Sequence, residues 1–430
     1  MTAATFAVRR RKPELIGPSI PTPRETKRLS DIDDQDALRV QVPFVFFYHA
    51  GGDDDPVHVI RRAIAAALVP YYPLAGRLRE IDDRKLVVDC TGEGILFVEA
   101  DADVRMDELE EEDDVMAPPF PYLEQLLFDV EGSAPGVVNS PLMLVQVTRL
   151  LCGGFVLAVR INHAMCDAIG FAQFLLAVAD IARGLPAAVA PPPPWQRELL
   201  DARIPPAPSF PHREFDAVSP PPPTPTPCDV IVTRTFTFAP TDIAKIKNRL
   251  RETPATAFEA VTAFLWRART AALEIAGDET VRLVIIANVR GVAGLNLPAG
   301  YYGNACVSPT AITTAGELLH LGEAAAVEMV KEAKKSVTAE YARSTADVLV
   351  SRGRPMMATA NVFAVSDQRH AGFDRLDFGW GSPVYGGAAE TVFGLSLLVA
   401  VKDAVGVMVS LPPPAMERFA SEMETMMINK

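Results

Sequence analysis

The chain predicts an α/β protein of two layered domains, and three observations carry that prediction. Helical and strand periodicities interleave along it without a strict βαβ repeat. A proline-rich break divides it, with 15 of its 37 prolines falling between Pro186 and Pro227 and "PPPP" at 191–194 and 220–223. Its 430 residues are 49% hydrophobic and 22% charged, enough for two sizeable cores. A run so rich in proline suits neither a helix nor a central strand, so 186–227 reads as an extended crossover. The domains are then 1–185 and 228–430, with mixed sheets and a cleft between them.

In the first half, Val59, Ile60, Ala63, Ile64, Ala67 and Leu68 form a 3.6-residue stripe, which predicts a helix from Pro56 to Leu68 ended by Pro70. "PLMLVQVTRL", a Cys152-Gly153-Gly154 turn and "FVLAVRIN" predict a β-hairpin. Phe155, Leu157, Val159 and Ile161 share one face of its second strand, and His163 would continue that face by period-2 parity. After Asp167, Phe171, Phe174, Leu175, Val178 and Ile181 stand at helical spacing until Gly184. In the second half, Thr256 and Glu259 have capping-box spacing at the start of a helix through Ala272. A strand "VRLVIIANVR" leads into the loop "GVAGLNLPAGYYGN". One long helix is expected from Glu317 to Tyr341, then strands near 357–365 and 394–411 and a helix near 414–428. The acidic run Asp107–Asp114 reads as a solvated loop or helix face.

Formal net charge is −13, a poor match for phosphate neutralisation, so nucleic acid is not an expected partner. Arg9-Arg10-Arg11-Lys12 reads as a solvated edge. Five scattered cysteines without a CxxC pair fit free thiols, not a zinc site or a disulfide framework. There is no apolar leader, no run of roughly 18 apolar residues and no SKL-type ending, so the expectation is a soluble cytosolic protein.

His163 and Asp167, in "RINHAMCDAIGF", are the residues with chemical potential. A histidine titrating near neutrality at a strand end can take a proton from an alcohol or amine. It can equally be a packed core histidine, and Asp167 stands where a helix N-cap is needed. A triad lacks a nearby serine nucleophile, a metal site lacks a second ligand at the right spacing, and Cys166 is a rival nucleophile beside the base. From these residues alone both readings of His163 stay open.

"HAMCDAIG" at 163–170 has the form HxxxD, and "DFGWG" stands at 377–381. With these as its two signatures, the chain as a whole resembles the plant BAHD acyltransferases. "LSDIDDQ" (29–35), "YYPLAGRL" (71–78), "FLWRART" (264–270), "NVRG" (288–291) and "GYYGN" (300–304) resemble further landmarks in the right order. "LPAGYYGNACVSPTAITTAGEL" and "VSDQRHAGFDRLDFGWGSPVYGG" resemble most the branch that benzoylates benzyl alcohol.

The resemblance implies two chloramphenicol-acetyltransferase-like domains with a channel between them. It implies acyl transfer from coenzyme A thioesters to an alcohol or amine by a monomer, with acyl-CoA as co-substrate and neither a metal nor a permanent cofactor. By the same resemblance His163 is the general base and Asp167 pairs with Arg290, while Asp377, Gly379 and Trp380 are scaffold near the channel. Gln368 stands where many members have a tryptophan, which makes Ser366 a candidate contact to the acceptor or oxyanion, and Asn304 is expected to line the channel. The helix N-terminus at Thr256 suits coenzyme A phosphates, with Arg267 and Arg269 nearby. The donor implied is benzoyl or another aromatic acyl; hydroxycinnamoyl or acetyl transfer, and a catalytically inactive acyl-CoA-binding homologue, are the alternatives.

Overall fold

A computed structural model describes residues 6–52, 54–110, 116–129, 137–185, 192–216, 230–250 and 253–428. The chain forms two compact units. The first comprises Met1–Asp201, Asn296–Ala305 and Arg369–Glu390; the second comprises Ala202–Leu295, Cys306–Gln368 and Thr391–Lys430. Much of the proline-rich stretch, 186–191 and 217–227, lies outside the described residues, as do 111–114 of the acidic run.

The first unit is built on a mixed sheet. Its strands run in the order Val8–Arg10, Ile95–Ala102, Met143–Arg149, Phe155–Asn162, Gln41–Tyr48 and Tyr385–Ala388, with Glu14–Ile16 also paired to Ile95–Ala102. Only Ile95–Ala102 and Met143–Arg149 run parallel. The predicted hairpin is present, but parity does not sort its second strand. Val156 and Ala158 are buried as fully as Phe155, Leu157 and Val159, because this central strand is covered on both faces. Sequence order places DFGWG in the C-terminal domain. The structure corrects this: residues 369–390 belong to the first unit, where Tyr385–Ala388 extends the sheet beside Gln41–Tyr48.

Two helices, Pro56–Ala67 and Ala168–Ala182, pack on each other in this unit. The first begins as its sequence dictates, with the Asp55 side chain accepting from Val57 N at 3.2 Å and Pro56 in the first turn. Its apolar stripe, Val59, Ile60, Ala63, Ile64 and Ala67, is buried.

The second unit has strands in the order Val232–Phe238, Ala404–Leu411, Leu395–Val401, Val362–Asp367, Thr280–Asn288 and Cys306–Val307, with Thr310–Thr314 also on Thr280–Asn288. The helix Ala257–Ala272 buries Phe264, Leu265 and Trp266 in the core of this unit. The single helix expected over 317–341 is instead three: Ala315–His320, Gly322–Lys335 and Ala339–Ser351. Gly322 takes a left-handed φ of 83°, which turns the chain. Thr338 then caps a new start, its hydroxyl accepting from Tyr341 N at 3.1 Å. The strand expected near 357–365 begins only at Val362, after Asn361 in a left-handed conformation (φ 49°).

Candidate active site

His163 follows the last residue of the Phe155–Asn162 strand and opens a tight turn. Its backbone N–H donates to Val40 O at 2.8 Å, and Met165 N closes the turn on Asn162 O at 3.0 Å. The side chain is half-buried, and its Nδ1 is buried without a hydrogen-bond partner. Asp167 is buried and caps the Ala168–Ala182 helix: Oδ1 accepts from Gly170 N at 2.9 Å and Oδ2 from Ala305 N at 3.0 Å. Its carboxylate thus ties the helix start to the end of the GYYGN loop. Cys166, the rival nucleophile, is 3% exposed.

The GYYGN loop holds the turn from beneath. Asn304 is buried, and both hydrogens of its amide are committed: Nδ2 donates to His163 O at 2.8 Å and to Asp33 Oδ1 at 2.9 Å. Asn304, expected to line the channel, thus has both amide hydrogens committed beneath the turn that carries His163. Gly170 must be glycine, since an added Cβ would stand 2.1 Å from Tyr302 O. An added Cβ at Gly303 would meet Arg197 Nη1 at 2.2 Å.

Asp33 and Arg197 complete this arrangement, and sequence reasoning misses both. They are fully buried and joined at 2.8 Å, and Arg197 Nη2 donates to Met165 O at 2.8 Å. The guanidinium stacks on Trp195, Tyr301 and Tyr302. Burial alone would depress the Arg197 pKa, but Asp33 and the two tyrosines outweigh it and hold the cation above its ordinary range. The available signals were an arginine two residues after Trp195 inside a proline-rich run and the second aspartate in "LSDIDD".

The DFGWG turn sits elsewhere in the unit. Asp377 Oδ1 accepts from Gly379 N and Gly381 N, each at 2.8 Å, and both glycines have left-handed φ values. Trp380 stacks edge-on against Phe155 at 5.4 Å and lies against Gly51 and Gly52. Phe155 begins the strand that His163 follows, so the two motifs are separated by about 26 Å at the usual strand rise. The DFGWG turn packs against the end of the strand opposite His163. Trp380→Ala should lower stability by about 2–3 kcal/mol while changing kcat less than about threefold, read from urea titration and turnover of the folded variant.

In the second unit, Arg290 follows Thr280–Asn288 and donates to Asn288 Oδ1 from its own N–H (3.0 Å) and from Nη1 (3.2 Å). Ser366 lies within Val362–Asp367, between Ile286 and Leu397 in register, and Gln368 follows with its Oε1 buried and unpartnered. The residues expected near coenzyme A phosphates, Thr256, Arg267 and Arg269, all have partners within this unit. The helix start at Thr256 is a capping box: Glu259 Oε2 accepts from Thr256 N at 2.8 Å, Thr256 Oγ1 accepts from Glu259 N at 3.3 Å, and Glu259 Oε1 accepts from Lys334 Nζ at 2.6 Å. Burial alone would raise the Glu259 pKa, but Lys334 and Thr256 more than offset it and hold it below its ordinary value. Arg267 donates to Leu318 O and Leu319 O, closing the Ala315–His320 helix. Arg269 is buried over the rings of Phe363 and Phe393, where burial pulls its pKa down to about 10.

Among the described residues there is no cluster of histidine, cysteine or carboxylate groups able to hold a metal. No helix among them is long and apolar enough to cross a membrane.

The model of the family described as "Transferase family" matches residues 6–426. A benzyl alcohol O-benzoyltransferase of Petunia hybrida is 48% identical over 98% of this chain and 94% of its own. A (Z)-3-hexen-1-ol acetyltransferase of Arabidopsis thaliana is 46% identical over 98% of this chain and 95% of its own. The crystal structure of vinorine synthase superposes with a TM-score of 0.76 at 20% identity, covering 97% of this chain and 98% of that one.

Proposed function

The chain belongs to this transferase family, the BAHD acyltransferases, and on that premise we propose that it is an aromatic-acyl transferase whose general base is His163. The enzyme moves an acyl group from a coenzyme A thioester to an alcohol. In this reading the acyl group is benzoyl and the acceptor a small alcohol such as benzyl alcohol. The observation carrying the substrate class is the 48% identity to a benzyl alcohol O-benzoyltransferase, sustained over 98% of this chain.

The chemistry follows from the turn. His163 Nε2 takes the proton of the alcohol as its oxygen attacks the thioester carbon. A tetrahedral oxyanion forms, the C–S bond breaks, and the imidazolium returns its proton to the departing thiolate. A thioester is activated already, so the base needs to be charged only in passing. That accords with an imidazole whose Nδ1 has no carboxylate partner, unlike the orienting aspartate of a hydrolase triad. Holding both substrates at the base supplies the proximity contribution.

The 46% identity to a hexenol acetyltransferase favours a second reading, acetyl transfer to an aliphatic alcohol. Thiol release from benzoyl-, hydroxycinnamoyl- and acetyl-CoA, each with benzyl alcohol, (Z)-3-hexen-1-ol and an amine, separates the two. Benzoyl-CoA with benzyl alcohol should give the highest kcat/KM. A higher value for acetyl-CoA with hexenol would replace the first reading with the second. No release from any pair would leave an acyl-CoA-binding homologue.

A further inference from the structure

We propose that Asp33, Arg197 and Asn304 are positioning residues that aim the His163 imidazole through its own backbone. This rests on the reading of His163 as the base. The turn carrying His163 presents two carbonyls to the interior, and both are gripped. Asn304 Nδ2 holds His163 O at 2.8 Å and Arg197 Nη2 holds Met165 O at 2.8 Å. One carboxylate organises the two grips. Asp33 Oδ1 accepts from Asn304 N at 2.8 Å and from Nδ2 at 2.9 Å. Its Oδ2 accepts from Arg197 Nη1 at 2.8 Å, Ser30 Oγ at 2.6 Å and Ser30 N at 3.1 Å.

Five donors on one buried carboxylate leave it little freedom to move, and a buried ion pair keeps its geometry because breaking it strands a charge. The guanidinium is fixed in its turn by stacking on Trp195 at 4.4 Å and by the absence of a side chain at Gly303. The imidazole itself lacks a bond at Nδ1. Its direction is therefore set by the backbone on either side, which is what Asp33, Arg197 and Asn304 hold. A general base works only at hydrogen-bond reach of the proton it takes, so a small displacement of this turn acts on kcat and not on substrate affinity.

Asn304→Ala removes one grip and one of the five donors on Asp33 while leaving the direct Arg197–Asp33 contact in place, and Arg197→Met removes the other grip. Each should lower kcat by roughly 10–100-fold with KM for acyl-CoA and alcohol within about twofold. The chain has six histidines, so ring-13C-labelled protein gives few signals, and His163→Ala identifies the one from His163. Asn304→Ala should move that signal and leave that of His212, in the other unit, unchanged. If Arg197→Met does not fold, Asn304→Ala alone decides the matter. A folded Asn304→Ala variant with parental kcat, or with the loss confined to KM, would overturn the proposal while an inactive His163→Ala still upheld the base. Full activity in His163→Ala would overturn the base and this inference with it.

Discussion

His163→Ala should fold like the parent and lose acyl transfer by roughly 10²- to 10⁴-fold, the usual contribution of a positioned general base. The stability side of this expectation comes from the contacts. The His163 backbone N–H bonds to Val40 O and its carbonyl to Asn304, and neither involves the imidazole. The ring is half-buried and its Nδ1 has no partner, so truncation strands no hydrogen-bonding group. The change in unfolding free energy should stay within about 1 kcal/mol. Thiol release under saturating substrates, beside urea titrations of both proteins, measures the two quantities together. A folded variant retaining a tenth or more of parental turnover would remove His163 from the chemistry.

That outcome would also reach back to how the site is read from sequence. His163 and Asp167 stand four residues apart, and their roles separate along the lines that local chemistry suggests: the aspartate begins a helix and the histidine ends a strand. Features written in a few neighbouring residues were legible, such as the Pro56 helix start, the hairpin at Gly153 and the capping box at Thr256. What holds the turn was not. Asp33 and Arg197 are 164 residues apart, and each is unremarkable beside its neighbours. Charged side chains are rarely fully buried, so a default reading leaves Arg269 at the surface. The fold instead places it over Phe363 and Phe393. The helical repeat over 317–341 failed for the opposite reason: apolar spacing continues across Gly322 and Ser336, while the local signals at Gly322 and Thr338 end one helix and start the next. Periodicity records which face is buried, and it passes over a break that keeps that face in register.

Asp167→Ala should be strongly destabilising, because it removes two bonds that join different parts of the unit. The carboxylate caps the Ala168–Ala182 helix through Gly170 N and secures the GYYGN loop through Ala305 N. Loss of an N-cap costs about 1 kcal/mol. Leaving the Ala305 N–H without its acceptor, in a residue with no exposed surface, costs about 1–3 kcal/mol more. The sum, roughly 2–4 kcal/mol, is a large share of the stability of an ordinary domain. Turnover should fall as well, since Ala305 directly follows Asn304, which holds the His163 carbonyl. Asp167→Asn separates this structural role from a catalytic one. Its amide oxygen is a good cap but cannot serve both donors as two carboxylate oxygens do, so it should lose about half as much stability and keep measurable transfer. Denaturant midpoints at unchanged m-value, with kcat taken where every variant is folded, give the comparison. If Asp167→Asn kept parental stability yet lost transfer as fully as His163→Ala, the carboxylate would be orienting the imidazole after all, and the capping account would fall.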